Sequence, residues 1–342
     1  MLSTRIFGFV AAGAVAALIA ATVLWPRKEG VTVYCAADDV HARPILDAFV
    51  RDTGVQIRHV KYDVEANKSV SLATALRLEK DHPKCDVYWN NEPLHTMRLA
   101  AEGLFEPYAS PEAADIPAQF KDPQDRWTGF AARARCLIVN TSLVKPGEMP
   151  RSMDDLLDPK WKGRCAIPRP LAGTGLTHVA ALFTVIGQDR TLTWSKALFA
   201  NGVVFPTGNG PLATAVASGQ LAWGITDTDD FRKCEAEGKP VARVFPDQEP
   251  GRVGTLVLPN TVALIKGAPQ PEMGKRLIDY LLRKQTEELL AASDGAHIPL
   301  RAAVKRPTHV QGPPQFRAME VDWADVAKRY DERLSKLYEL WQ

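Results

Sequence analysis

The stretch GITDTDDF, residues 224–231, crowds three carboxylates into four positions: Asp227, Asp229 and Asp230. The run before them is apolar, as in a buried strand, and the run after them has the pattern of a helix that ends at Gly238. Asp is a favourable helix N-cap, and acidic residues stabilise a first helical turn. Three ionised carboxylates also repel one another unless a cation or hydrogen-bond donors lie nearby. The stretch therefore predicts either helix caps or oxygen ligands that face a bound group.

Two Gly-containing turns, each followed by a predicted helix, have the composition of an anion-binding site. Free backbone N–H groups at a helix start, together with nearby hydroxyls, suit a phosphate, carbonate or carboxylate. The candidate residues in these turns are Gly173, Thr174, Gly175, Thr177, Asn209 and Gly210. The competing interpretation is an ordinary capped turn at each place.

Polar residues also follow two earlier predicted strands. Asp38 and Asp39 precede the first helix, where they either cap it or contact a ligand. Asn90, Asn91 and Glu92 end an apolar strand, and polar side chains there need partners if a cleft closes over them.

The elements that must position these residues alternate regularly between strand and helix. The predicted elements of the first region are, in alternation, 31–36, 41–54, 55–60, 67–81, 85–90 and 92–103. This βαβαβα order predicts a parallel sheet with helices on both faces, an α/β architecture.

A second α/β series follows the long predicted strand at 127–141, and another long strand is predicted at 253–265. Two such strands suggest two lobes joined by a double crossover, with lobe 1 at 30–126 plus 264–342 and lobe 2 at 127–263. In open α/β sheets ligands bind beyond the carboxyl ends of strands. The polar turns described above would meet there.

Residues 1–29 contain an apolar segment from Ile6 to Trp25, preceded by Arg5 and followed by Arg27. A segment of about 20 apolar residues is long enough to cross a bilayer, and a secretory signal core is usually shorter. The segment is therefore either a cleaved signal peptide or an N-terminal membrane anchor. Both place the body of the protein outside the cytoplasm, in the periplasm or its equivalent.

The composition excludes several function classes. Lys and Arg number 42 against 40 Asp and Glu, a balance that argues against a nucleic-acid partner. No HExxH, Walker A or GxSxG pattern occurs, so the residues indicate no enzyme. A hydrolase with clustered carboxylates and a membrane-tethered sensor remain competing classes. Five cysteines in no CxxC pair favour buried thiols, with a disulfide between Cys136 and Cys165 as the alternative.

Several segments resemble the extracellular solute-binding proteins of ABC importers, in particular their ferric-ion-binding branch. The segments include VTVYCAADD, CDVYWNNE, DLLDPKWKGRCAIPRP, TGNGPLATAVASGQLAWGITD and NTVALIKGAPQPE, and the likeness extends over about residues 31–301. The resemblance implies the two-lobed class II periplasmic-binding-protein fold, with hinge strands crossing twice. It also implies permease and ATPase partners, no catalysis, no permanent cofactor, and Fe(III) as transported ligand together with carbonate or phosphate.

Carried over residue by residue, the resemblance implies a metal site and an adjoining anion site. The implied metal ligands are Asp38, Glu92, Asp227 and Asp229, with Asp229 as the first choice. The implied anion and ligand contacts are Gly173, Thr174, Gly175, Thr177, Asn209, Gly210, Thr226 and Asn91. This chain departs from the family because Thr228 and Asp229 stand where the ferric-binding members carry a tyrosine pair. The alternative ligand is therefore a phosphate, phosphonate or sugar phosphate bound without metal.

Overall fold

The computed structural model describes residues 30–63, 67 and 69–341, so the predicted signal peptide or anchor at 1–29 lies outside the described residues. The described strands are β1 Gly30–Cys35, β2 Gln56–Tyr62, β3 Val87–Asn90, β4 Phe105–Glu106, β5 Thr128–Asn140, β6 Cys165–Ala166, β7 Trp223–Asp227, β8 Val241–Val244 and β9 Val257–Ile265. The described α-helices are α1 Asp39–Thr53, α2 Val70–Leu78, α3 Pro93–Ala101, α4 Gly173–Val185, α5 Gln188–Ala200, α6 Asn209–Ala217, α7 Thr228–Ala236, α8 Pro271–Leu281, α9 Lys284–Ala292, α10 Trp323–Lys328 and α11 Tyr330–Trp341. None of these helices is both long and apolar enough to span a membrane.

The strands follow the order β2-β1-β3-β9-β5-β7-β6, with β4 paired to β9 and β8 paired to β5. β1 is parallel to β2 and β3, as the βαβ order predicts, and β6 is parallel to β7. The two long strands run antiparallel to their neighbours. The sheet is therefore two mostly parallel halves joined through β5 and β9.

Strands β5 and β9 make the two crossings between the halves. Residues 128–134 of β5 pair with β9, and residues 135–139 pair with β7. In β9, residues 257–262 face β5, whereas 261–264 pair with β3. All thirteen residues of β5 are buried, so its two arginines, Arg133 and Arg135, need acceptors inside the protein.

Alternate residues of each strand pack into different cores, because successive side chains point to opposite faces of a sheet. In β1, Val31 and Val33 join a core with α1 and α8, whereas Tyr34 joins one with α2 and α3. In β5, Leu137 packs with α4 and α5, and Cys136 packs with α6 and α7. Helices therefore cover both faces of both halves, as expected for this α/β class.

The C-terminal helices α10 and α11 contact both halves of the molecule. Val326 and Tyr330 belong to the core that contains α4. On the other side, Arg98 of α3 lies 3.8 Å from the ring centre of Tyr330, and its Nη2 is 2.6 Å from Oδ1 of Asp331. The predicted lobe ranges, 30–126 with 264–342 and 127–263, stay a prediction.

All five cysteines are buried, and the possible disulfide between Cys136 and Cys165 does not form, since both are free thiols. Because each lies on a strand and packs in a different core, the two side chains face opposite sides of the second half.

Candidate functional site

A cavity of about 500 Å³ lies between the two halves, at the carboxyl ends of β1, β3 and β7. Its wall combines the start of α1 with the starts of α4, α6 and α7. Nine of the twelve predicted site residues line it: Asp38, Asn91, Gly173, Thr174, Gly175, Asn209, Gly210, Asp227 and Asp229. The sheet topology therefore brings together residues that are far apart in the chain.

Helices α4 and α6 both begin at this cavity. Their N-cap residues, Ala172 and Gly208, make no side-chain capping hydrogen bond. In α4 the first intrahelical bond is donated by Leu176 to the carbonyl of Ala172 (3.2 Å), so the amides of residues 173–175 precede it. Gly173 has φ +54°, a backbone conformation that favours glycine. Both helix starts therefore present the partial positive charge of unsatisfied amides to the cavity.

Close packing fixes the start of α6 against β7. A Cβ atom on Gly224 would lie 2.8 Å from Cδ2 of Leu212 and 2.9 Å from the carbonyl oxygen of Ala166. No larger residue fits between the strand and the helix without moving one of them. Gly224, the first residue of the GITDTDDF stretch, thus positions α6 relative to the carboxylates that follow.

A buried polar network joins the two helix starts. Nη1 of Arg135 donates to Oδ1 of Asp227 (2.6 Å) and to Oδ1 of Asn209 (2.8 Å). Oδ2 of Asp227 accepts from Oγ1 of Thr174 (2.7 Å) and from Nδ2 of Asn209 (3.1 Å). Asp227 stands at the N-cap position of α7, but its side chain makes no capping hydrogen bond. The carboxylate is therefore a partner of Arg135 rather than a helix cap.

Arg133 links the two halves of the site. Its Nη1 donates to Oδ2 of Asp229 (3.1 Å), and its Nη2 donates to the carbonyl oxygen of Asn91 (2.5 Å). Burial lowers the pKa of Arg133, but the nearby carboxylates of Asp229 and Asp227 outweigh burial and raise that pKa above its ordinary value. Oδ1 of Asp229 has no hydrogen-bond partner among the described residues. Asp229 lines the cavity with one carboxylate oxygen hydrogen-bonded to Arg133 and the other without a hydrogen-bond donor among the described residues.

Two groups of side chains have the spacing of metal ligands. Asp38, His41 and Asp229 form one group, and Asp227, Asp229 and Asp230 form the other; within each group the candidate ligand atoms all lie within 4.8 Å of one another. Carboxylate and imidazole are suitable donors for iron and other transition metals. No tyrosine lines the cavity in the described part of the chain.

The structure gives Glu92 a different role from the predicted metal ligand. Glu92 is fully buried and caps α3, because its Oε2 accepts from the amide of Leu94 (2.6 Å) and its Oε1 accepts from the amide of His95 (3.1 Å). Oε2 also accepts from Oγ1 of Thr177 (2.8 Å). Both oxygens accept hydrogen bonds and neither residue lines the cavity, so the structure does not bring Glu92 and Thr177 together with the other candidate residues, and their assignments as metal ligand and anion contact stay predictions.

Thr226 also lies outside the cavity wall. It is fully buried on β7, and its hydroxyl donates to the carbonyl oxygen of Asn209 (3.3 Å) and to Oδ2 of Asp230 (3.2 Å). It therefore holds the start of α6 beside α7, and its predicted place among the anion contacts stays a prediction.

Sequence reasoning missed several charged residues of the site: His41, Arg133, Arg135, Arg169 and Lys233. A signal was available for two of them, because arginine occurs twice in the otherwise apolar run TGFAARARCLIVN. Charged residues on a strand that is buried throughout need partners of opposite charge. No local pattern marks the other three.

Comparison with known proteins identifies a family of bacterial extracellular solute-binding proteins. The family model described as bacterial extracellular solute-binding protein matches residues 92–329. Iron uptake protein A1 of Synechocystis sp. is 29% identical over 280 residues, which are 78% of this chain and 75% of that protein. A protein of Salmonella typhi named for periplasmic 2-aminoethylphosphonate binding is 29% identical over 245 residues, 71% of this chain and 69% of that protein.

Among solved structures, iron-bound HitA from Pseudomonas aeruginosa superposes with a TM-score of 0.81 at 23% identity, covering 91% of this chain and 99% of that one. This likeness confirms the predicted two-lobed α/β fold. The matched family model spans well over half of the chain. The chain therefore belongs to the bacterial extracellular solute-binding proteins, the ligand-capturing components of ABC importers.

Proposed function

We propose that this protein captures a small solute with a phosphonate, phosphate or similar anionic group and delivers it to a membrane permease driven by an ATPase. Two uncapped helix starts that open on one cavity carry this proposal. The protein acts outside the cytoplasm, exported by a signal peptide or tethered by its N-terminal segment, and it binds without catalysing a reaction.

The electrostatics of the helix starts support an anion. An unsatisfied helix N-terminus binds phosphate or carboxylate through its amides and its dipole. Arg135 hydrogen-bonds Thr174 and Asn209, one residue from each helix start, so a full positive charge lies beside both. Asp227 is paired with that same guanidinium, which reduces its repulsion of an incoming anion.

Hinge motion about the crossing strands supplies the means of capture. β5 and β9 connect the halves, and Arg133 on β5 touches Asn91 on one side and Asp229 on the other. Closure about such strands buries a ligand between the two lobes. The permease then recognises the closed, ligand-bound form in preference to the open form.

Fe(III) with carbonate or phosphate is the second candidate, favoured by the group Asp38, His41 and Asp229. Relatives named for iron binding or uptake support it. Against it, Arg133 already occupies one oxygen of Asp229, and the phenolate pair of the ferric branch is missing. In this case the anion would use the same helix starts as in the first proposal.

Placing one negative charge at the start of α6 tests the proposal. Among the described residues, a Cβ atom on Gly210 would meet only Oδ1 of Asp230, at an ordinary 3.5 Å. Gly210→Asp should therefore fold normally, since an acidic residue suits a first helical turn. We expect its affinity for 2-aminoethylphosphonate to fall by about ten-fold or more. Two like charges a few ångströms apart in a partly buried site repel each other by about 1.4 kcal/mol or more, which corresponds to a factor of ten in affinity.

The nearly isosteric Gly210→Asn variant is the control, with titration calorimetry in the presence of a chelator as the measurement. It should stay within about three-fold of the unmodified protein, since it adds bulk without charge. Unchanged affinity in Gly210→Asp would place the anion elsewhere. Stronger binding of ferric citrate by Gly210→Asp than by Gly210→Asn would favour iron instead, since the added carboxylate is a hard oxygen ligand.

A further inference from the structure

We infer that the C-terminal helices α10 and α11 form a latch that opposes closure of the cavity. The latch moves with the second half, which contains β6–β8 and α4–α7, and it holds α3 of the first half through Arg98, Tyr330 and Asp331. The inference rests on the hinge closure of the proposed function, because it names the contact that has to yield when the two halves close. It gives these helices a part in setting the affinity for the solute.

Polar and apolar contacts anchor α10 and α11 on the second half. Arg333 is buried; its Nη1 donates to Oγ1 of Thr184 on α4 (2.7 Å), and its Nη2 donates to Oδ2 of Asp325 (2.6 Å). The same oxygen of Asp325 accepts from Thr184 (2.7 Å). Near the end of α11, the ring centre of Trp341 lies 4.5 Å from that of Phe205. These contacts join α4, α10 and α11 into one unit.

The contact with α3 is of a kind that can break and form again. The guanidinium of Arg98 lies 3.8 Å from the ring centre of Tyr330, and its Nη2 is 2.6 Å from Oδ1 of Asp331. The ring of His95, one turn earlier on α3, packs edge-on against Tyr330 with the ring centres 5.5 Å apart. The side chain of Arg98 is 13% exposed and that of Asp331 is 82% exposed. The shielded cation–π contact therefore contributes more to the attraction than the solvated ion pair does.

The position of the latch relative to the sheet decides the direction of its effect. The starts of α1 and α7 line the cavity, one from each half. These helices pack on the strand faces that carry Val33 of β1 and Cys136 of β5. Helices α3 and α4 pack on the opposite faces, with Tyr34 and Leu137. Because the crossing strands lie between the cavity and the latch, a rotation that brings α1 towards α7 moves α3 away from α11.

A second contact between the halves lies closer to the crossing strands. Glu92 at the start of α3 accepts a hydrogen bond from Thr177 of α4 (2.8 Å), two residues after Asn90, which pairs with Thr261 of β9. Arg98 lies six residues further along α3, or about 9 Å at about 1.5 Å per residue. A rotation about the crossing strands therefore displaces Arg98 more than Glu92. The contact of Arg98 with α11 is the one that such a motion strains most.

Distances between spin labels on the two halves test the latch without a solute. Labels on Asp47→Cys in α1 and Glu237→Cys after α7 react selectively, because all five native thiols are buried. Arg98→Gln removes the contact and suits a helix, so we expect double electron–electron resonance on the ligand-free protein to show shorter distances. Arg276→Gln is the matched control, since this exposed arginine bonds only the carbonyl oxygen of Thr53 within the first half, and it should leave the distances unchanged. Unchanged distances in Arg98→Gln would overturn the latch.

The affinity for 2-aminoethylphosphonate gives a second readout. The apparent Kd falls as the fraction of closed protein rises, so Arg98→Gln should bind the phosphonate about three-fold more tightly or better, and Arg276→Gln should match the unmodified protein. Asp331→Asn changes an 82% exposed side chain and so should fold normally; it should shift both readouts in the same direction by a smaller amount.

The outcomes separate the latch from the proposed function. Equal or weaker binding of the phosphonate by Arg98→Gln than by the unmodified protein would overturn the latch, because the contact would then not oppose closure. If none of these proteins binds the phosphonate at millimolar concentration, the proposed function fails, and the label distances alone decide whether the latch exists.

Discussion

Arg135→Met should destabilise the folded protein by about 3–5 kcal/mol, the usual effect of removing one partner from a buried ion pair. Arg135 is fully buried on β5, and its guanidinium contacts Thr174, Asn209 and Asp227. Methionine fills a similar volume but leaves Asp227 in the protein interior without its counter-charge. Urea unfolding at pH 7 measures the loss directly.

A double variant separates the charge effect from packing. Adding Asp227→Asn to Arg135→Met removes the unpaired charge, so we expect a substantial part of the lost stability to return. If the two substitutions acted independently, the double variant would instead lose the sum of the two single losses. Lys84→Met is the control, because its side chain is 73% exposed and surface changes of this kind stay within about 0.5 kcal/mol. A loss below about 1 kcal/mol in Arg135→Met would contradict the buried pair.

Acid should weaken the fold before its carboxylates titrate, because of buried neutral histidines. His178 on α4 is 1% exposed, and both of its ring nitrogens lack a partner among the described residues. Burial, and then the charge of Arg135, lower the pKa of His178 from 6.5 to about 3. Burial likewise lowers the pKa of His95 and that of His297.

The direction of the effect follows from proton linkage. Below pH 6.5 the unfolded chain takes up a proton at His178, whereas the folded protein does not until about pH 3. The stability contributed by the neutral histidine is therefore fully present above pH 6.5. As the pH drops below 6.5, the free energy of unfolding falls by about 1.4 kcal/mol per pH unit for each such histidine. From pH 6.5 to 5, His178 alone accounts for about 2 kcal/mol.

His178→Leu should remove that share of the pH dependence. The measurement is urea unfolding at pH 5.0 and pH 7.0, with exposed His82→Leu as the control that leaves the dependence unchanged. Leucine suits a helix and needs no hydrogen-bond partner, so stability at pH 7 should not decrease. If the free energy of unfolding of His178→Leu differs between pH 5.0 and pH 7.0 by as much as that of the unmodified protein, His178 is not a buried neutral group.

The sequence predicted which candidate residues lie together at one cavity better than it predicted their hydrogen-bond partners. Asp227, Asp229 and the two Gly-containing turns stand at strand ends, and chain order alone places strand ends together in an α/β sheet. Their partners depend on pairing between distant segments: Arg135 is 92 residues from Asp227, and Arg133 is 96 residues from Asp229. No local pattern contains that information, so the three carboxylates could not be assigned between caps and ligands beforehand.

The hydrogen bonds of Glu92 follow a local sequence signal that competes with the role implied by the family resemblance. Pro93 follows Glu92 directly, and proline at a first helical position marks the preceding residue as the N-cap. The structure follows this pattern: the carboxylate accepts from two backbone amides of α3 and from Thr177 of α4. In this chain the position therefore joins two helices, and the residues of this half that line the cavity include Asp38, His41 and Asn91.

The most direct test of the account is the thermal unfolding midpoint of chelator-treated protein with 2-aminoethylphosphonate, and separately of metal-free protein with ferric citrate. A ligand that binds the folded state at one hundred times its Kd adds about 2.7 kcal/mol to the unfolding free energy. We expect the phosphonate to raise the midpoint by several degrees without metal, and we expect this shift to be lost in Gly210→Asp. A shift with ferric citrate and none with the phosphonate would contradict it.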